Sequence, residues 1–271
     1  MKRDAVGRRA SGEDAWWRRL RTVARHRRAR RALERQLAYQ ERKAAALAGR
    51  EVFFTQSLVA TSQRARAMLD AISSIDPAAR VLEVGSGAHG LIFHFGCERS
   101  FGVDPLAHQF AALFPAWQRR VPTVAAVGEE LPFGDAAFDI VLSDNVVDHA
   151  ENPKRIVDEM VRVLAPGGLL YFAVHIHHPV YALASAAHGA WRSLGIPFEI
   201  TPFADHTTHF TPASASRLFR DSALEILCEW RRIDEARMLA ARVPPRHAGD
   251  RLKQLFFKNA VYEVIAQKSV G

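Results

Sequence analysis

Glu83-Val84-Gly85-Ser86-Gly87-Ala88-His89-Gly90 places one acid and three glycines directly after the apolar run Val81-Leu82. Glycine admits positive φ and lets a backbone come up against a ligand, so this spacing suits a turn that cradles a nucleoside cofactor. Two ligands satisfy it. Read as G-x-G-x-x-G, the segment holds a dinucleotide pyrophosphate at the N-terminus of a following helix. Read as Glu-x-Gly-x-Gly, it suits S-adenosylmethionine, whose ammonium group needs a nearby acid. Asp104 lies 21 residues after Glu83, at the end of the next apolar run. A carboxylate there accepts hydrogen bonds from ribose hydroxyls, so Asp104 supports adenosine binding without choosing between NAD and S-adenosylmethionine.

A second supply of chemistry is histidine. His175, His177, His178, His188, His206 and His209 crowd one stretch, and His149 precedes them. Imidazole titrates near neutrality and suits a general base. His206 and His209, just before a helix start at Thr211-Pro212, are the preferred candidates; His149 is a third, and also reads as a scaffold residue. The pairs His175-x-His177 and His206-x-x-His209 are not joined by any metal-ligand spacing, so no metal is expected. Cys97 and Cys228 form neither cluster nor framework and are expected as reduced thiols. At Tyr181, Trp191, Phe198 and Phe203 the same stretch offers aromatic walls for a planar or apolar acceptor, or the core of a lid.

The elements that must position these groups alternate. Apolar runs at 80–84, 100–103, 123–127, 138–142 and 169–174 read as strands, separated by helical stretches at 88–95, 107–114 and 153–164. Two further strands follow at 223–231 and 259–267. The alternation predicts an α/β fold, doubly wound, with a mostly parallel seven-stranded Rossmann-like sheet, an N-terminal helical extension and an insertion after strand five. A helix over 52–75 ends before Asp76-Pro77. The expected division is a basic helical arm over 1–50 and a domain over 51–271, whose insertion at 175–210 forms the acceptor site.

Charge is uneven along the 271 residues. Residues 1–50 hold 16 Lys and Arg against 5 Asp and Glu, whereas the rest hold 21 against 24. The arm therefore reads as a surface for anionic partners, RNA or lipid headgroups, or as an amphipathic extension packing its apolar stripe on the domain. No apolar run reaches the ~20 residues of a membrane-spanning helix, and the N-terminus lacks the apolar core of a signal peptide, so a cytoplasmic location is expected.

The later blocks Glu129-Glu130-Leu131-Pro132-Phe133, Phe138–His149 and Leu164-Ala165-Pro166-Gly167-Gly168, taken with the glycine turn and Asp104, resemble class I S-adenosylmethionine-dependent methyltransferases of the small-molecule, ubiquinone-pathway-like type. The resemblance covers about residues 78–175 closely. It implies that Glu83 holds the cofactor ammonium through water or an amide, that Gly85, Ser86 and Gly87 lie against the cofactor, and that Asp104 with Pro105 grips the ribose. It further implies that Gly128 and Glu129 occupy the adenine turn and that Asp144 and Asn145 line the site near the reacting methyl. This chain departs at Val127, where relatives usually carry an Asp for the adenine amino group. It departs again at His89, read as a contact for the cofactor carboxylate or as a half-exposed turn residue.

The implied activity is methyl transfer to oxygen, nitrogen or carbon of a small molecule. The alternatives are an RNA methyltransferase gripping its substrate through the basic arm, a non-catalytic scaffold of the same fold, and an NAD-dependent oxidoreductase. The last leaves Glu83 and the Leu-Pro-Phe block unexplained, and no Asn/Asp-Pro-Pro-aromatic motif of base-methylating relatives follows strand four.

Overall fold

A computed structural model describes residues 30, 33–47, 51–180, 183, 208–242, 244 and 256–270. Its centre is a seven-stranded sheet: β1 (Arg80–Val84), β2 (Arg99–Val103), β3 (Thr123–Val124), β4 (Phe138–Asp144), β5 (Leu164–Ile176), β6 (Leu224–Arg231) and β7 (Ala260–Lys268). They lie in the order β3-β2-β1-β4-β5-β7-β6. Pairs within the first five strands are parallel, and β7 runs antiparallel to both β5 and β6. Strand order reverses between β1 and β4, where open α/β sheets form a ligand crevice beyond the strands' carboxyl ends.

Apolar runs mark the central strands because both faces are covered, and alternate residues serve opposite layers. Val81, Ile140, Leu142 and Tyr171 join one core with Ala65 and Leu69 of a helix at Glu51–Asp70. Leu82, Val84, Val141, Leu170 and Phe172 join the other with Ile156, Val157 and Met160 of a helix at Pro153–Val163. That second helix starts where Asn152 accepts from the Arg155 amide and proline occupies the first turn.

Several boundaries differ from the sequence reading, among them β3, read over 123–127 and formed only at Thr123–Val124. The stretch 88–95 is not an α-helix: only a four-residue 3-10 turn forms, at Leu91–His94. The helix before β1 ends at Asp70 rather than Ile75, because the Asp70 carboxylate accepts from the Ile75 amide at 2.8 Å and turns the chain. Strand β5 begins at Leu164; its register on β4 jumps from Phe138↔Leu164 to Ile140↔Leu169, so Pro166-Gly167-Gly168 is accommodated inside the strand as an irregularity.

Residues 33–47 are helical, with Leu33, Leu37, Ala44 and Leu47 packed against the first core. The more arginine-rich remainder of the basic arm, residues 1–29, lies outside the described residues, as does most of the 175–210 insertion. Among the described residues no helix is long and apolar enough to cross a membrane.

Candidate functional site

At the carboxyl ends of β1, β2 and β4 the chain encloses a cavity of about 630 Å³. Glu83, the penultimate residue of β1, is 1 % exposed. Its Oε1 accepts from the Leu91 amide at 3.0 Å and its Oε2 from the Ile92 amide at 2.9 Å. Burial pushes its pKa up to about 8 against the pull of those two amides, with the charges of Asp144 and Asp104 adding to the rise. The amides at the start of the 3-10 turn are therefore already taken by a side chain. A pyrophosphate held at the N-terminus of a following α-helix has no counterpart here.

The glycine turn is held by β2. Gly85 and Ser86 both donate to the Val103 carbonyl, at 2.7 and 3.0 Å. Gly85 sits at φ +74°, and a Cβ there would lie 2.3 Å from Val146. Asp104 bridges the next step: Oδ2 accepts from the Gly87 amide at 3.0 Å and Oδ1 from the Leu106 amide at 2.8 Å. Burial raises its pKa to about 6, against those two hydrogen bonds.

Asp144 ends β4, accepting from the Asn145 amide group at 2.7 Å. Burial, followed by the charge of Glu263, raises it to about 6. Asn145 takes φ +54°, and its own Oδ1 is buried with no hydrogen-bond partner among the described residues. On the far wall, Glu129 Oε1 accepts from the Glu151 and Asn152 amides at 3.0 and 3.2 Å, which ties the loop after β3 to the helix at Pro153.

Glu83, Gly85, Ser86, Gly87, Asp104, Pro105, Gly128, Glu129, Asp144, Asn145 and His149 thus line one cavity. His149 is joined by Asp148, whose Oδ1 lies 3.9 Å from its Nε2. His209 does not line the cavity; its ring lies 5.2 Å from that of His177, and its neighbour Thr208 donates to the Asp148 carbonyl at 2.9 Å, while His206 lies outside the described residues. Val127 lines the cavity too, 47 % exposed.

His89, read as a contact for the cofactor carboxylate or as a half-exposed turn residue, is a partly buried turn residue on the cavity wall. Its ring packs edge-on against Phe54 and Phe114, at 4.7 and 4.6 Å, and tilted against Trp117 at 5.4 Å. Burial, then the charge of Lys43, lowers its pKa to about 3, so the ring stays neutral and serves as an aromatic wall.

Sequence reading also missed a wall of the site. Leu33, Gln36 and Gln40 of the N-terminal helix line the same cavity, and the buried Gln40 Oε1 has no partner among the described residues. Glutamines recurring at helical spacing beside the Leu33/Leu37 stripe are the signal that could have revealed it. Among the described residues no group of three or more His, Cys, Asp or Glu is placed to hold a metal ion.

Sheet order and crevice are those of the Rossmann-like methyltransferase fold. The family described as "Methyltransferase domain" matches residues 82–172. An uncharacterized protein of Methanocaldococcus jannaschii is 34 % identical over 106 residues, which is 39 % of this chain and 49 % of that protein. An uncharacterized methyltransferase of Mycobacterium leprae is 38 % identical over 104 residues, 37 % of this chain and 39 % of its own length. The chain spans about half the length of these curated relatives or less. Among solved structures, geranyl diphosphate C-methyltransferase from Streptomyces coelicolor, in complex with Mg²⁺, geranyl diphosphate and S-adenosyl-L-homocysteine, is similar in fold. Its TM-score is 0.55 at 14 % identity, covering 77 % of this chain and 79 % of that one.

Proposed function

We propose that this protein transfers a methyl group from S-adenosylmethionine to a small-molecule acceptor. The carrying observation is the single crevice at the β1/β4 reversal, which gathers Glu83, the glycine turn, Asp104, Asp144 and Asn145. Its residues suit the cofactor. Each Asp104 oxygen uses one lone pair on a backbone amide and keeps another for a ribose hydroxyl. The unpartnered Asn145 Oδ1 is an acceptor for an ammonium group, beside the carboxylate of Asp144. Exposed Val127 and the flanking backbone offer an apolar face and polar groups to adenine in place of the missing Asp.

S-adenosylmethionine supplies a sulfonium-activated methyl group, so the protein's task is alignment and, for a protonated acceptor, removal of a proton. His149, on the cavity wall with Asp148 behind it, is the base this geometry favours. His209 and His206 serve the insertion side in the same reading. A neutral, aromatic-packed His89 and the glutamine-bearing helix close the cofactor end.

Calorimetric titration of the purified protein with S-adenosylhomocysteine, and separately with NADH, tests this. Micromolar binding of the first alone is expected. Binding of NADH alone, or of neither, refutes the methyl-transfer reading.

A further inference from the structure

A second cavity lies at the same sheet edge, beyond the carboxyl end of β5. Because β7 runs antiparallel to its neighbours, its start meets the ends of both: Ile176 pairs with Ala260, and Arg231 with Tyr262. There a cleft of about 690 Å³ is lined by His178, Arg217, Arg220, Arg231 and Arg237, and no carboxylate among the described residues lines it.

The packing anchors the backbone that carries two of these arginines, whose side chains are exposed. Leu218 and Phe219 are each 7 % exposed, and Phe219 meets Phe172 edge-on at 5.0 Å. That anchors the short turn Arg217–Phe219 and sets Arg217, its first residue, and Arg220, just after it, at the cleft. Arg231 is paired with Glu229 at 2.6 Å and Arg237 with Asp234 at 3.5 Å. Arg217 and Arg220 have no ion pair among the described residues. Glu229 and Asp234 offset the charges of Arg231 and Arg237, so the charge that an anion would relieve is that of Arg217 and Arg220. Their planar forks match phosphoryl oxygens in pairs.

The cleft is also within reach of the first site. Ala173 pairs with Asp144 of the cofactor cavity, and His178 follows Ala173 by five residues, at most about 18 Å of extended chain. We infer that the cleft binds the phosphoryl end of a phosphorylated small molecule. Resting on the methyl-transfer reading, that molecule is the acceptor, with its reactive end towards Asp144.

The test uses the full chain, inorganic pyrophosphate as probe and S-adenosylhomocysteine as control, in calorimetric titrations of wild type and of R217Q/R220Q. Expected are saturable pyrophosphate binding to wild type, at least about tenfold weaker in the variant, and unchanged S-adenosylhomocysteine affinity in both. Pyrophosphate failing to bind wild type, or binding the variant equally, overturns the inference and leaves the methyl-transfer reading standing. Pyrophosphate binding without S-adenosylhomocysteine binding keeps the anion site but removes its link to an acceptor. Displacement of pyrophosphate by a single-stranded oligoribonucleotide at lower concentration than by a phosphomonoester overturns the small-molecule reading in favour of a nucleic-acid surface.

Discussion

Gly90 and Glu83 approach so closely that a Cβ on the glycine would lie 2.2 Å from the Glu83 Oε2. Glycine is required there for space and not for an unusual backbone, since φ is −59°. Gly90→Ala must push the buried carboxylate off the Leu91 and Ile92 amides. Expected are a stability loss of about 1–3 kcal/mol in denaturant unfolding and weakened S-adenosylhomocysteine binding. Wild-type stability in the alanine variant would show that the carboxylate has room to move.

Asp104 ties the glycine turn to the start of the following helix and keeps lone pairs for a ligand. Asp104→Ala is expected to weaken S-adenosylhomocysteine binding by about 1–3 kcal/mol. Calorimetry measures it, and an unchanged dissociation constant takes Asp104 out of the binding site.

Three cavity carboxyls carry raised pKa values: Asp104 and Asp144 near 6, and Glu83 near 8. A raised carboxyl contributes stability in full below its ordinary pKa and loses it as pH climbs through the folded value. The cofactor-free protein is therefore expected to lose stability from pH 5 to 8 on account of these groups. A ligand ammonium favours their ionised forms, so S-adenosylhomocysteine should bind more weakly below about pH 6 and should flatten the alkaline loss. Melting temperatures across pH with and without ligand decide this, and parallel curves would separate the carboxyls from the ligand.

Glu263, 1 % exposed on β7, accepts from Tyr171 Oη at 2.7 Å, from Arg64 at 2.7 Å and from Arg232 at 2.8 Å. Burial pushes its pKa up, but these donors outweigh burial and hold it below the usual carboxylate value. Glu263→Ala strands two guanidinium groups that are partly exposed, so the expected cost is about 2–4 kcal/mol. Glu263→Gln should cost less. An alanine variant as stable as wild type in urea unfolding contradicts this account.

His149→Ala tests the base. The expected outcome, once an acceptor is in hand, is a fall in kcat of about 100-fold or more with unchanged S-adenosylhomocysteine affinity. An equal loss of cofactor affinity assigns His149 to binding instead.

The site was legible in the sequence where chemistry coincides with strand ends. Buried parallel strands must be apolar on both faces, so Val81-Leu82, Phe101–Val103 and Ile140–Leu142 stood out, and the acids that close them, Glu83, Asp104 and Asp144, stood out with them. Local spacing therefore determined the α/β alternation, the glycine turn and the acids around it. What the acids touch depends on segments distant along the chain. Packing decided that Glu83 takes the Leu91 and Ile92 amides, that 88–95 forms only a 3-10 turn, that His89 is walled by Phe54, Phe114 and Trp117, and that Gln36 and Gln40 face the cofactor cavity. It also brought Arg217 and Arg220 beside Arg231, because β7 inserts antiparallel between β5 and β6. Periodicity reports which face of an element is buried; only the folded chain determines against what, and with which charge left unpaired.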